Sequence, residues 1–460
     1  MQRRARRRLG GIMGGVALTA LLAWPIAAMS PAHAQQDTWT TPLATKLGVK
    51  LTHNLDSSGP DAWDPKAHPL VFISTEGPGY GGLLSGVKNP GVTIINAETK
   101  KVVTSASYDV MKEFGFKSVF EPHGVGVSDD GKWIYLPTGE GSFETVGGGA
   151  LLVINARTLK IDKVLRTSGQ PHHAKTFQNA EGKALSYFYG WNQPLVVLDP
   201  ANDNRVVGGL PFDEQGLPGY LYFASPDGTE IFAGGRDPNM AKLHDSVVIR
   251  ISTKTWKPLG RIQLPDNTPV WTSFTADGNI AYIPGGHSSQ VFKYDRSAGR
   301  VVANSRAGVE GPYGVHLNWK DEELYTVGKG EGSHNRGKVL GLISTKLMEK
   351  TDRPMDQFTT NCIRGDHGTL HPDPDANELW ITCNSSFEIV VFDLDEKKVS
   401  ARIQMPNGGS THSGSFVKYD GWKGEVVSDQ NGLQNSALKE KRRILGLSGD
   451  RPAAVQGGRS

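Results

Sequence analysis

The chain has 460 residues, with 50 Lys and Arg against 47 Asp and Glu, 56 Gly, 27 Pro, 13 His and 2 Cys. Five arginines lie within residues 3–8; without them the balance is 45 basic against 47 acidic side chains, a net charge near −2, and the only basic run left is KEKRR at 439–443. That balance excludes nucleic acid or an acidic surface as the default partner. The Gly and Pro content excludes a helical bundle, and the absence of any CxxC or CxxCH excludes a zinc ribbon or covalent haem c.

Residues 1–34 combine a basic start (MQRRARRRLGG), an apolar stretch (IMGGVALTALLAWPIAAM) and SPAHA, which together read as a signal peptide cut near Ala34. Export by the Sec or the twin-arginine route leads to the periplasm or outside the cell. No later stretch approaches the roughly 18 apolar residues of a membrane span. Four segments follow from this: signal 1–34, N-terminal extension 35–65, repeat region 66–433 and C-terminal tail 434–460.

The repeat region is built from units of about 45 residues, clearest in EPHGVGVSDDGKWIYLPTGEGSFETVGGGALLVINARTLKIDKVLRT at 121–167. Others begin at QPHHAKTF (170), LPGYLYFASPDGTEIFAGG (217), TPVWTSFTADGNIAYIPGG (268), GPYGVHLNWKDEELYTVG (311) and CIRGDHGTLHPDPDANELWITC (362). Each alternates apolar and polar residues over short runs separated by DG-type turns, the signature of four antiparallel strands. Repeats of this length predict an all-β propeller. Residues 70–108 lack a first strand and 410–429 supply one, so the two ends complete a seventh blade; eight blades is the rival count.

Cys362 and Cys383 flank the turn HPDPDAN of the sixth complete unit, and in an oxidising compartment they are expected to form a disulfide.

The histidines share one place in the repeat. Counted back from the DG turn, His123, His172 or His173, His367 and His412 open the inner strand, and His316 lies two residues further along, on the same side of its strand. Those blades are consecutive once the ring closes, and the other two carry Tyr220 and Val270 or Trp271. The expected channel mouth has a histidine wall facing an apolar wall. Adjacent strand residues face opposite ways unless a bulge intervenes, so for both His172 and His173 to point inward, His172 is expected on the entering loop and His173 on the first pleat. Converging imidazoles without thiolates favour copper, zinc second, and a set larger than four favours more than one ion. Glu121, Lys175 and Asp366 are placed beside the cluster as candidates for proton transfer or anion binding. His244, His287, His334 and His371 read as surface residues. A metal-free reading, in which the histidines belong to a repeat consensus, leaves a binding or scaffold propeller. A divalent-metal lactonase or lyase ranks last, because its carboxylate and amide set is missing at these positions.

The repeat resembles the YVTN-type β-propellers over nearly the whole mature chain. The placing of His123, His172, His173, His316, His367 and His412 is similar to the histidine cluster of the copper propellers, nitrous oxide reductase and thiocyanate dehydrogenase. That resemblance implies a polynuclear copper centre at one mouth of a seven-bladed propeller, a small sulfur- or nitrogen-containing substrate and a separate periplasmic electron carrier. Two features depart from nitrous oxide reductase. The chain lacks a C-terminal cupredoxin domain, and its doubled histidine follows the His123 blade instead of belonging to it. The thiocyanate-dehydrogenase type is the nearer match.

Overall fold

The DG turns fix where one strand ends and the next begins. In SDDG, SPDG and TADG the glycine N–H donates to the carbonyl of the residue three before it (Gly131 to Ser128, 2.7 Å; Gly228 to Ser225, 2.8 Å; Gly278 to Thr275, 2.8 Å). Each of these glycines has φ near +70°, a left-handed geometry that a Cβ disfavours. The Ser or Thr hydroxyl also donates to the turn aspartate, as Ser225 does to Asp227 at 2.5 Å, so each turn is tied by backbone and side chain together.

A computed structural model describes residues 39–66, 69–75, 89–117, 123–141, 146–211, 219–235, 247–264, 268–330, 337–406 and 410–455. The expected signal peptide lies outside them. The described strands form seven antiparallel sheets arranged as the blades of a propeller. The inner strands of blades 1 to 6 are Gly126–Val127, Gln170–Gln178, Gly219–Ala224, Ser273–Phe274, Pro312–Leu317 and Gly365–Leu370, and that of blade 7 is Thr411–Asp420. Blade 7 closes the ring as the sequence requires. Leu70–Thr75 pairs with Thr411–Asp420, Leu70 opposite Val417 and Thr75 opposite Thr411. Because the N-terminal strand takes the second position, the strand after the last turn, Lys423–Asp429, folds back along the other side of its own inner strand.

The apolar core lies between neighbouring blades, where residues such as Phe223, Phe232 and Trp271 or Val390, Trp380 and Phe416 are buried face to face. Burial of such strands on both faces accounts for their near-continuous apolar runs.

Two segments outside the repeat pack against it. Val49–Asn54 adds a fifth, outermost strand to blade 1 by pairing with Ile161–Thr167. Past Gly432 the chain crosses the face carrying the DG turns. Asn435 donates to Asp129 at 2.5 Å, Lys441 to the carbonyl of Asn318 at 2.8 Å, Arg442 to that of Ala276 at 2.6 Å, Arg451 to that of Gln178 at 2.8 Å, and Val455 N–H to Asp227 at 3.0 Å. Five of the seven blades are thereby tied by one strap.

Cys362 and Cys383 form a disulfide with Cα atoms 5.3 Å apart. It joins the residue range leading into the inner strand of blade 6 to the end of its second strand, where Gly365 pairs with Cys383. Replacing both cysteines by alanine should lower the unfolding free energy by about 3 kcal/mol, the size expected for a loop of this length. The measurement is the urea midpoint of oxidised protein against the double variant.

Candidate metal centre

The inner strands reach the histidine mouth through a repeated irregularity. In blade 2, His173 pairs with Tyr189 and Pro171 with Gly190, leaving His172 as an extra residue. In blade 6, Asp366 and His367 lie opposite Thr382 alone, between the pairs Gly365 with Cys383 and Gly368 with Ile381. In blade 7, His412 and Ser413 lie opposite Ser74 alone, and in blade 5, Tyr313 and Gly314 lie opposite Val327 alone. Blade 3 has Tyr220 as its extra residue. A one-residue β-bulge bends the strand and re-aims the side chains on it. The strand of blade 2 therefore begins at Gln170, ahead of both histidines, and not between them as the sequence reading expects. The bulge at His172 lets neighbours in sequence share one cluster.

Five imidazoles converge. The ring of His123 is 3.9 Å from that of His172, 3.3 Å from His412, 5.6 Å from His173 and 6.4 Å from His367. His173 is 4.6 Å from His172 and 5.0 Å from His367. All five are buried. His123, Asp366 and His412 each offer a ligand atom within 4.8 Å of the others.

Polar neighbours set the tautomers. His367 Nδ1 lies 2.9 Å from the carbonyl of His412, which only accepts, so Nδ1 carries the proton and Nε2 holds a lone pair. That Nε2 is buried with no hydrogen-bond partner, as are both ring nitrogens of His173. Asp366 faces His367 Nδ1 at 3.3 Å, His412 Nδ1 at shorter range and Lys329 Nζ at 3.0 Å. Asn384 donates its amide to His412 Nε2.

Burial drives the imidazoles toward neutrality. Desolvation, then the charges of neighbouring histidines, puts His172 and His173 well below the usual histidine range. Burial lowers His316 to about 3, and lowers His367 to about 4 against the opposing pull of Asp366. For Asp366 burial acts upward, but His367 and Lys329 outweigh it and hold the carboxyl well below its ordinary value. Neutral, lone-pair-bearing imidazoles and an anionic carboxylate are the protonation states that bind metal.

The remaining expected site residues divide. His316 lies one pleat below, its ring 5.2 Å from Trp271, which in turn lies 5.1 Å from His367. Trp271 packs on Phe223 at 4.7 Å, forming the apolar side of the mouth. Lys175 is buried in the channel wall. Its ammonium donates to the carbonyl of Tyr222 at 2.7 Å and sits 3.3 Å from the Phe223 ring centre. Burial pulls its pKa down while Asp429 opposes the change, and burial raises Asp429 to about 6. Glu121 lies outside the described residues, as do His244 and His334, and only the backbone of Tyr220 is described. His287 is exposed as expected. His371 corrects the surface reading: it is buried, with its ring 5.3 Å from Phe416 and its Nδ1 accepting from Asp373 N–H at 3.2 Å.

The glycines after the histidines have a packing reason. A Cβ on Gly124 would lie 2.0 Å from His173 Nδ1, and one on Gly368 would lie 2.6 Å from His316 Nε2. In each H-G pair the histidine fills the mouth while the glycine makes room for a neighbouring blade's imidazole.

Sequence reasoning misses Lys329 and Asn384. Each is the first residue after the second strand of its blade, Glu323–Gly328 or Glu378–Cys383, and that strand ends at the histidine mouth. A register count along the second strand, like the one used on the first, would have found both.

No family model matches the chain, and no curated protein matches it. Among solved structures it is similar to a putative 6-phosphogluconolactonase from Bacteroides uniformis (TM-score 0.53, 14% identity, 76% of this chain and 99% of that one). It is also similar to a putative 6-phosphogluconolactonase from Bacteroides fragilis (TM-score 0.53, 14% identity, 78% and 100%) and to the periplasmic gluconolactonase PpgL of Pseudomonas aeruginosa (TM-score 0.53, 16% identity, 75% and 99%). At these identities the likeness is one of fold. No helix among the described residues is long and apolar enough to cross a membrane.

Two substitutions test the packing of this mouth. Gly124→Ala should displace His173 and destabilise the protein by about 1–3 kcal/mol, as overpacking does; its thermal midpoint and its histidine NMR signals are the readouts. Lys175→Met should cost about 1 kcal/mol because it removes the hydrogen bond from the ammonium to the Tyr222 carbonyl, read in the same denaturation measurement.

Proposed function

We propose that this protein is a periplasmic copper oxidoreductase whose centre, holding more than one ion, is bound at the propeller mouth by His123, His172, His173, His367 and His412, with His316 beneath. The observation that carries the reading is His367: its Nδ1 is committed to a carbonyl, and its Nε2 lone pair is buried without a partner among four other imidazoles. A buried acceptor left unmet is costly, and a soft divalent or monovalent ion meets several of them at once. Histidine ligands whose second nitrogen is held by a carbonyl or carboxylate are the usual arrangement at metal sites.

Copper held by these residues would supply one-electron chemistry toward a small sulfur- or nitrogen-containing substrate. The chain's own residues do the rest. Asp366 and the His412 carbonyl orient His367. Trp271 and Tyr313, whose rings lie 5.1 Å from His367, exclude water from that side. Lys329, buried beside the cluster, is paired to Asp366, and Glu121 is the candidate for proton transfer. The electron acceptor would be a separate periplasmic carrier. Zinc is the weaker reading, since three or four ligands satisfy it. A lactonase-type centre is weaker still, because Asp366 is already engaged by Lys329 and two histidines.

The experiment is elemental analysis of the mature protein purified from periplasm supplied with copper, beside a folded His173→Ala/His367→Ala variant. The expected result is about two or more coppers per chain, lost in the variant. Folded protein without bound metal overturns the reading and leaves a metal-free propeller that works by binding a partner.

A further inference from the structure

His412 differs from His367 in having a polar side chain at each ring nitrogen. The Asp366 carboxylate faces Nδ1, and a carboxylate only accepts, so Nδ1 carries the proton. The Asn384 amide nitrogen faces Nε2, and an NH₂ group only donates, so the Nε2 lone pair is already used. An imidazole engaged at both nitrogens has nothing to offer a metal. His367 sits beside it with its Nε2 bare.

We infer that Asn384 is a competitor for the metal centre: it holds His412 Nε2 in the copper-free protein and releases it when copper takes that nitrogen. The inference rests on the copper reading above. Asn384 is built for a side-chain movement on a fixed backbone. Its N–H donates to the Arg364 carbonyl at 3.0 Å, its own carbonyl accepts from Ser410 at 2.8 Å, and the neighbouring Cys383 is in the disulfide. Its Oδ1 is buried with no hydrogen-bond partner, so contact with His412 is made by the NH₂ end alone while the carbonyl end stays unmet. Exchanging a neutral hydrogen bond for a metal–imidazole bond is favourable, yet the bond given up subtracts from the affinity of that position. His412 is thus the last ligand recruited, and the ion it completes is held more weakly than one bound by His123, His172, His173 and His367.

The test is a copper titration in competition with a chromophoric chelator, on wild type and on Asn384→Ala and Asn384→Ser. The expected result is that the weakest copper binds about three- to tenfold more tightly in both variants, the range set by one neutral hydrogen bond, while tighter copper is unchanged. Unchanged or weaker binding of that copper overturns the inference and makes Asn384 a support for His412. A wild type that takes up no copper overturns the copper reading itself, a separate outcome. Long-range ¹H–¹⁵N spectra of the copper-free wild type give a check that needs no variant: His412 should be protonated at Nδ1 alone, with its Nε2 signal changing on copper addition. Protonation at Nε2 would refute the proposed contact.

Discussion

The bulge at the head of the inner strands is the constraint on which the site depends. A regular strand alternates its side chains, so a propeller of regular strands offers one inward residue per blade at each level. One extra residue at the mouth breaks that alternation where the chain enters the channel. It lets blade 2 deliver His172 and His173 together, and blade 6 deliver His367 with the carboxylate that faces it, Asp366. Below the bulge the pairing of the inner strands with the second strands is regular again. Between inner and second strands the irregularity falls at the one level at which five imidazoles meet, and the disulfide at Gly365's partner Cys383 lies immediately beside the bulge of blade 6.

Electrostatics at that level are coupled to packing. Imidazoles with ring centres 3.3 to 3.9 Å apart repel one another if charged, and burial acts in the same direction, so the mouth is stable only with neutral rings or with a cation among them. Lys329 and Asp366 form a pair there, and further along the channel wall burial pulls the Lys175 pKa down against the opposing effect of Asp429. The Lys329 charge is matched by the Asp366 carboxylate, so a bound cation's charge would remain for a ligand or substrate to answer.

The fold was legible because its signals are local. DG turns, period-2 runs and the incomplete first and last units specify the strands, the seven blades and the closure, and the spacing of Cys362 and Cys383 specifies their bond. Counting from the turns also placed His123, His172 or His173, His367 and His412 at one mouth. What the count could not supply was the bulge, since a bulge appears in sequence only as one residue too many in a strand whose ends are themselves uncertain. The sequence reading therefore moved His172 onto a loop. It also placed His371 on the surface, although Phe416 packs against its ring and the residue is buried. Lys329 and Asn384 were missed because they sit on the second strand's end, a position whose nearness to the first strand's start is a fact of the hairpin's register and not of residue type.

The two ends of the channel have opposite characters, and this bears on how such a centre is reached. At the DG-turn end Asn431 donates to the Thr176 carbonyl at 2.9 Å and accepts from Tyr187 and from Ala224 N–H, and the strap that follows ties five blades. Movement at that end would break several hydrogen bonds at once, most of them part-buried. The blades are therefore fixed from below, and the histidine geometry above inherits that rigidity. A cluster built from four separate blades holds its spacing only if the blades do not shift against one another, since ligand atoms must stay within a few tenths of an ångström of their places. The strap and the ring closure both serve that one requirement: one fixes the blades at their turns, and the other builds the chain's N-terminal strand into its last blade.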